Sequence, residues 1–284
     1  MIGLLSGGRG AAPVLAVAGL LILSIGLVAG AGAQGIERRA RGGGGYQGPS
    51  PVLVFVASIP LSLLAIVVLG VPLALGGVPV DGPIGRLASV VVQALIYLGI
   101  VRLLVVDTGA LSWSEMGIRR PDRHALSDLG VGASLAIPVI GLTIPVAAIF
   151  SVLVPVTPVS PLPPTGEPVG FTLQLVAGAL VAPLGEELLF RAFATTAWAR
   201  NVGPRRALVR GALFFAIVHI LTISGGSASQ AAELALVAFA TRIPVALALG
   251  WLFLRRGSIW APIGLHATFN AILLILGEVA ARSL

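Results

Sequence analysis

FTLQLVAGALVAPLGEELLFRAFATTAW, residues 171 to 198, is an apolar run long enough to cross a bilayer, yet it carries Glu186, Glu187 and Arg191 near its middle. An ionisable group at bilayer depth costs roughly 2.5 to 3.5 kcal/mol on insertion scales, so three together require partners or a chemical role. On an α-helix Glu187 and Arg191 lie one turn apart on one face, where they can form an i,i+4 ion pair, while Glu186 points about 100° away. The pair neutralises one glutamate and leaves Glu186 for chemistry.

The rest of the chain has the same apolar character. It is 57% hydrophobic and 10% charged, with mean hydropathy +1.03, far outside the range of a soluble domain. The composition predicts a multi-pass protein of the cell membrane. The absence of cysteine excludes disulfides and thiolate catalysis. All 18 basic residues are arginine, so a Ser-Lys dyad is excluded too. A net charge of +7 raises the question of nucleic acid, but the arginines fall in short loops beside apolar segments rather than in one stripe. They fit topology and anionic lipid headgroups, with no nucleic acid as partner.

Working outward from residues 171 to 198, apolar runs recur at Ala11 to Ala33, Val52 to Leu75, Leu87 to Val106, Leu129 to Val154, Ala207 to Leu221, Ala231 to Leu254 and Ile259 to Ala281. With residues 171 to 198 they make about eight spans. The loops at Glu37 to Arg41, Arg119 to Arg123, Arg200 to Arg210 and Arg255-Arg256 are basic and the alternate ones are not, which predicts the basic set on the cytoplasmic side and both termini outside. Arg9 followed by an apolar run and Ala31-Gly32-Ala33 also has the look of a cleavable signal peptide, although Arg38, Arg39 and Arg41 oppose that reading. Gly42 to Gly45 reads as a flexible linker and Pro155 to Pro168 as an extended polyproline-like loop. Ser112 and Glu115 have capping-box spacing and predict a short interfacial helix.

The polar residues of these spans coincide in depth. Counting about 1.5 Å per residue from the nearest loop arginine, Glu186 and Glu187 lie about 20 Å in, His219 about 14 Å, His266 about 15 Å and Arg242 about 21 Å. In an apolar core about 30 Å thick they share one layer, where Arg191 and Arg242 balance the two glutamates. His266 and Asn270 lie one turn apart on one face. Pro183, one turn before Glu187, frees the Ala179 carbonyl if the helix is regular.

A carboxylate and a neutral imidazole placed together can hold and deprotonate water, while a second imidazole and an amide offer donors to an oxyanion. That is equipment for hydrolysing an amide bond. The same Glu186, His219 and His266 also make a donor set for zinc, so whether a metal is bound stays open at this point; no HExxH helix is present.

The three elements E-E-x-x-x-R (Glu186, Glu187, Arg191), F-x-x-x-H (Phe215, His219) and H-x-x-x-N (His266, Asn270), in this order on separate spans, resemble the CPBP family of intramembrane proteases, which includes CAAX prenyl endopeptidases. The resemblance implies an all-α bundle of about eight membrane helices, in which residues 1–170 form the N-terminal spans and 171–284 the catalytic core. It further implies that Glu186 and His219 activate water, that His266 and Asn270 stabilise the oxyanion, and that Glu187, Arg191 and Phe215 support them. The expected partner is a membrane-associated protein or peptide substrate. Two other classes remain: a non-hydrolytic binder or scaffold, which has no need of Glu186 and Asn270 together, and a proton-coupled transporter, for which an internal repeat is missing.

Overall fold

The computed structural model describes residues 12–154 and 163–283, and these fold into helices without a β-strand. Seven of the helices are long and apolar enough to cross a membrane. The chain divides into two compact units, Met1–Leu111 and Ser112–Leu284.

The first unit contains α1 (Ala12–Arg41), α2 (Pro51–Leu75) and α3 (Pro83–Val101), the last running on as a π-turn over Arg102–Val106. Helix α1 continues unbroken through Ala31, Gly32 and Ala33; Arg9 lies outside the described residues. Proline opens α2 and α3, where its missing N–H would have had no helical partner. The glycine-rich turn after α1 is tied back on both sides, by Arg38 Nη1 donating to the Gly48 carbonyl at 3.0 Å and by the Ser50 N–H donating to Gln34 Oε1 at 2.6 Å.

The second unit contains α4 (Arg123–Leu153), the long composite helix α5 (Pro168–Val202), α6 (Pro204–Val218), α7 (Ala228–Arg256) and α8 (Trp260–Arg282). Asp122 caps α4 by accepting the Ala125 N–H at 2.8 Å. Helices α4 and α8 touch backbone to backbone: a Cβ on Gly132 would overlap the Ala261 carbonyl, and one on Gly264 would overlap the Leu129 carbonyl. Small residues are what lets membrane helices approach so closely. Around this contact Ala136, Val139, Val245, Leu249, Leu252, Leu265 and Phe269 form the buried core. At its rim Asp128 Oδ1 takes the Arg256 Nη2 at 2.6 Å, joining the start of α4 to the end of α7. Gly257 then turns the chain with φ 60°, a left-handed conformation suited to glycine.

Two expectations change, and a third lies mostly outside the described residues. The sixth apolar run forms a helix of only 15 residues, about 22 Å long and short of a bilayer core. It stops at His219 because Thr222 and Ser224-Gly225-Gly226 follow, which favour turns. The capping-box bonds do form, with Ser112 N–H to Glu115 Oε2 at 2.6 Å and Glu115 N–H to Ser112 Oγ at 3.3 Å. They close a turn rather than a helix, since Gly117 at φ 71° ends the segment before helix nucleation is repaid. Of the proline-rich loop, residues 155–162 lie outside the described residues. Its last part is clipped to α8 by buried Glu278, whose carboxylate accepts the Thr165 and Gly166 N–H groups at 2.9 Å each.

Candidate active site

The long helix α5 alternates between two windings, and this sets the site. Regular α-helix over Pro168–Leu175 gives way to a π-segment at Val176–Val181, α-helix at Ala182–Glu187, a second π-segment at Leu188–Thr195 and α-helix again at Thr196–Val202. The glutamate pair thus lies between two segments of a winding that is rare and concentrated at functional sites. The cause is local at the first of them. Within it the Ala182 N–H bonds to the Ala177 carbonyl, five residues back. The next carbonyl, Gly178, would look to residue 183, which is proline and has no N–H. The freed carbonyl is therefore that of Gly178, not Ala179 as a regular helix predicts, because the π-turn shifts the register by one. Asn270 Nδ2 donates to it at 2.8 Å.

The two glutamates face different surroundings, as their angular separation requires. Glu187 is fully buried, and its Oε1 lies 3.2 Å from Arg191 Nη1, itself buried. The same oxygen lies 2.7 Å from His266 Nδ1 on α8. Glu186 is one-fifth exposed; its Oε2 stands 3.5 Å from His219 Nε2 and 3.8 Å from His266 Nε2. These are ion-pair separations without hydrogen-bond geometry, since Glu186 Oε2 has no hydrogen-bond partner among the described residues. Glu187 Oε2 has none either. Polar atoms so placed in a protein interior are ones that ordered water satisfies.

The histidines are held by their other nitrogens. His219 Nδ1 is 2.7 Å from the Phe215 carbonyl one turn back, an acceptor, so Nδ1 carries the proton and donates. His266 Nδ1 donates likewise to the Glu187 carboxylate. In the neutral state both rings consequently turn an unprotonated Nε2 toward Glu186. Phe215 supports both rings. Its ring centroid lies 4.2 Å from that of His219 and 5.9 Å from that of His266, and the Arg191 guanidinium carbon sits 4.2 Å above its face. Arg242 on α7 donates to the Ala238 carbonyl at 2.9 Å and lies within electrostatic reach of Glu186.

Glu186, His219 and His266 therefore come together, with Glu187, Arg191 and Phe215 beneath them and Asn270 turned to the Gly178 backbone. The sequence offered no sign of the bond between Glu187 and His266, because residue spacing within one helix says nothing about contacts between helices. Gly178 was hidden for a different reason, as a π-turn leaves no mark in residue periodicity. As to metal, two imidazole Nε2 atoms and a carboxylate, with both Nδ1 atoms engaged by acceptors, have the chemistry of a zinc donor set. Yet among the described residues no group of three or more such side chains has the spacing of a metal centre.

The model for the type II CAAX prenyl endopeptidase Rce1-like family matches residues 168–272, the stretch from the start of α5 into α8 that holds Glu186, Glu187, Arg191, Phe215, His219, Arg242, His266 and Asn270. Among curated proteins and solved structures nothing matches the chain.

Proposed function

Residues 168–272 belong to the CPBP/CAAX protease family, and from that premise we propose that the protein cleaves a peptide bond of a membrane-associated protein or peptide with a water activated by Glu186 and His219. One observation carries this reading: Glu186 faces the Nε2 edges of two histidines whose Nδ1 atoms are already engaged. A water seated among these three groups loses its proton to the Glu186 carboxylate as it attacks, and His219 shares that proton and passes it to the leaving amine. His266 takes up a proton from solvent at Nε2 as the oxyanion develops, offsets that negative charge and donates a hydrogen bond to it, and returns the proton to solvent when the intermediate collapses; Glu187 holds the ring from its other side. Residues 171–284 are the catalytic core in this scheme, and the cell membrane is its site of action. Arg191 and Arg242 keep the layer near electrical neutrality, so no net charge is left buried among apolar helices.

The test is direct. Protein purified in detergent is incubated with solubilised membrane proteins, and new C-terminal fragments are compared between wild type and Glu186→Ala. Fragments that require Glu186 are the expected result. Identical fragment patterns with both proteins reject the proposal and favour a non-hydrolytic binder.

A further inference from the structure

Asn270 and Pro183 form a second device in the same layer. The proline removes an N–H, the π-segment of α5 leaves the Gly178 carbonyl without a helical donor, and the side chain of Asn270 supplies one from α8 at 2.8 Å. The neighbouring turn of α8 makes the other bond between these helices that matters to the site, from His266 Nδ1 to Glu187 at 2.7 Å. Helix α5 is thus fastened to α8 at two points, and the numbering runs in opposite senses on the two: Gly178 to Asn270, Glu187 to His266. A single hydrogen bond lets a helix pivot and slide against its neighbour. Two bonds roughly 13 Å apart along α5 fix both motions. Since Glu186 is set about 100° from Glu187 by the helix itself, fixing the rotation of α5 aims Glu186 at the histidines.

We infer that Asn270 is a positioning residue, which sets the rotation of the glutamate-bearing helix by satisfying the carbonyl that Pro183 leaves free. The inference rests on the hydrolytic reading for its effect on turnover, but not for the bond itself. It assigns a shared task to two residues that a regular helix would keep apart in function. It also gives the π-segment a purpose, since in an α-register the free carbonyl would sit one residue on, at Ala179, on a different face of the helix.

A mutant cycle tests this. Asn270→Ala leaves a buried carbonyl without a donor, which lowers the melting temperature by roughly 3 to 8 °C and turnover by at least about 10-fold. Pro183→Ala alone changes stability little, because Asn270 already occupies the carbonyl. In the Asn270→Ala background, however, Pro183→Ala restores a backbone N–H at the position where it is missing. The double variant should then melt above Asn270→Ala and recover turnover by about 10-fold. Additive melting temperatures, with no gain in the double variant, overturn the inference. A double variant that regains stability while its turnover stays that of Asn270→Ala also overturns it, and makes Asn270 a direct donor to the reacting atoms. Should wild type hydrolyse nothing, the protease reading falls on its own and the coupling of melting temperatures still decides this one.

Discussion

At the scale of residues, the site separates two side chains that the sequence presents as neighbours. Glu186→Gln keeps volume and removes the base, so hydrolysis should fall below detection while the melting temperature stays close to that of wild type. Glu187→Gln should behave differently, because it strands a buried Arg191 and weakens the acceptor of His266; breaking a buried pair in this way costs about 3 to 5 kcal/mol. The outcome to measure is thermal stability beside turnover for each variant, and equal melting temperatures would count against the division. Phe215→Leu removes the face on which Arg191 and both imidazoles rest. A desolvated cation–π contact is worth about 2 kcal/mol, so this variant should lose stability of that order and turnover with it. The polar layer itself was legible from its cost: Glu186, His219, His266 and Arg242 are polar groups in apolar runs, and the structure brings Glu186 to both histidines. Which residue touches which was not legible, since contacts such as Glu187 to His266 depend on how separate helices are rotated.

At the scale of elements, close approach and loop docking decide where the histidine helix lies. Gly264 is half a turn before His266 and meets the backbone of α4. Gly264→Ala forces α8 away from α4, and the variant should be poorly expressed or melt well below wild type, by an amount typical of overpacking, about 1 to 3 kcal/mol. Gly277→Ala, on the same helix with open space around it, serves as the control and should be neutral. The turn at Ser112 to Gly117 docks by a different force. Arg200 Nη2 lies 2.7 Å from Glu115 Oε1, and this hydrogen bond, followed by those from Ser112, holds the Glu115 carboxyl down at about 2. A carboxyl lowered on folding contributes stability that is present above its unfolded value and is lost as pH falls through the folded one. The melting-temperature difference between wild type and Glu115→Gln should therefore shrink between about pH 5 and about pH 2 and be constant above. Both groups are partly exposed, so the difference is small at any pH and smaller still in high salt. The short length of α6 escaped a reading based on hydropathy because hydropathy counts apolar residues and not the turn chemistry of Ser224-Gly225-Gly226.

At the scale of the whole molecule, an all-α membrane bundle was readable from composition and run length alone, and the structure agrees with seven membrane-length helices and the shorter α6. Loop charge predicts the direction in which the chain threads the bilayer, and that direction can be measured cleanly because the sequence has no cysteine. Single cysteines in place of Gly44 and Ser258 should react with an impermeant reagent only from the cytoplasmic side, and one at Ser224 only from outside. Labelling in the reverse sense would give weight to removal of the first helix.

The paired π-segments of α5 have a consequence for chain length. A π-turn holds one residue more than the α-turn it replaces, so each segment is a place where a helix can lose a residue and remain a helix. Removing one residue between 176 and 181 would regularise α5, leave residues 182–202 in register with their partners, and turn everything before the deletion by about 100° around the axis. Glu186 and Glu187 would keep their own neighbours while Gly178 swung away from Asn270. The first half of α5 and the second are in that sense separately adjustable, and a natural relative that differs by one residue here would be expected to have solved the problem of holding its helix in some way other than with an asparagine.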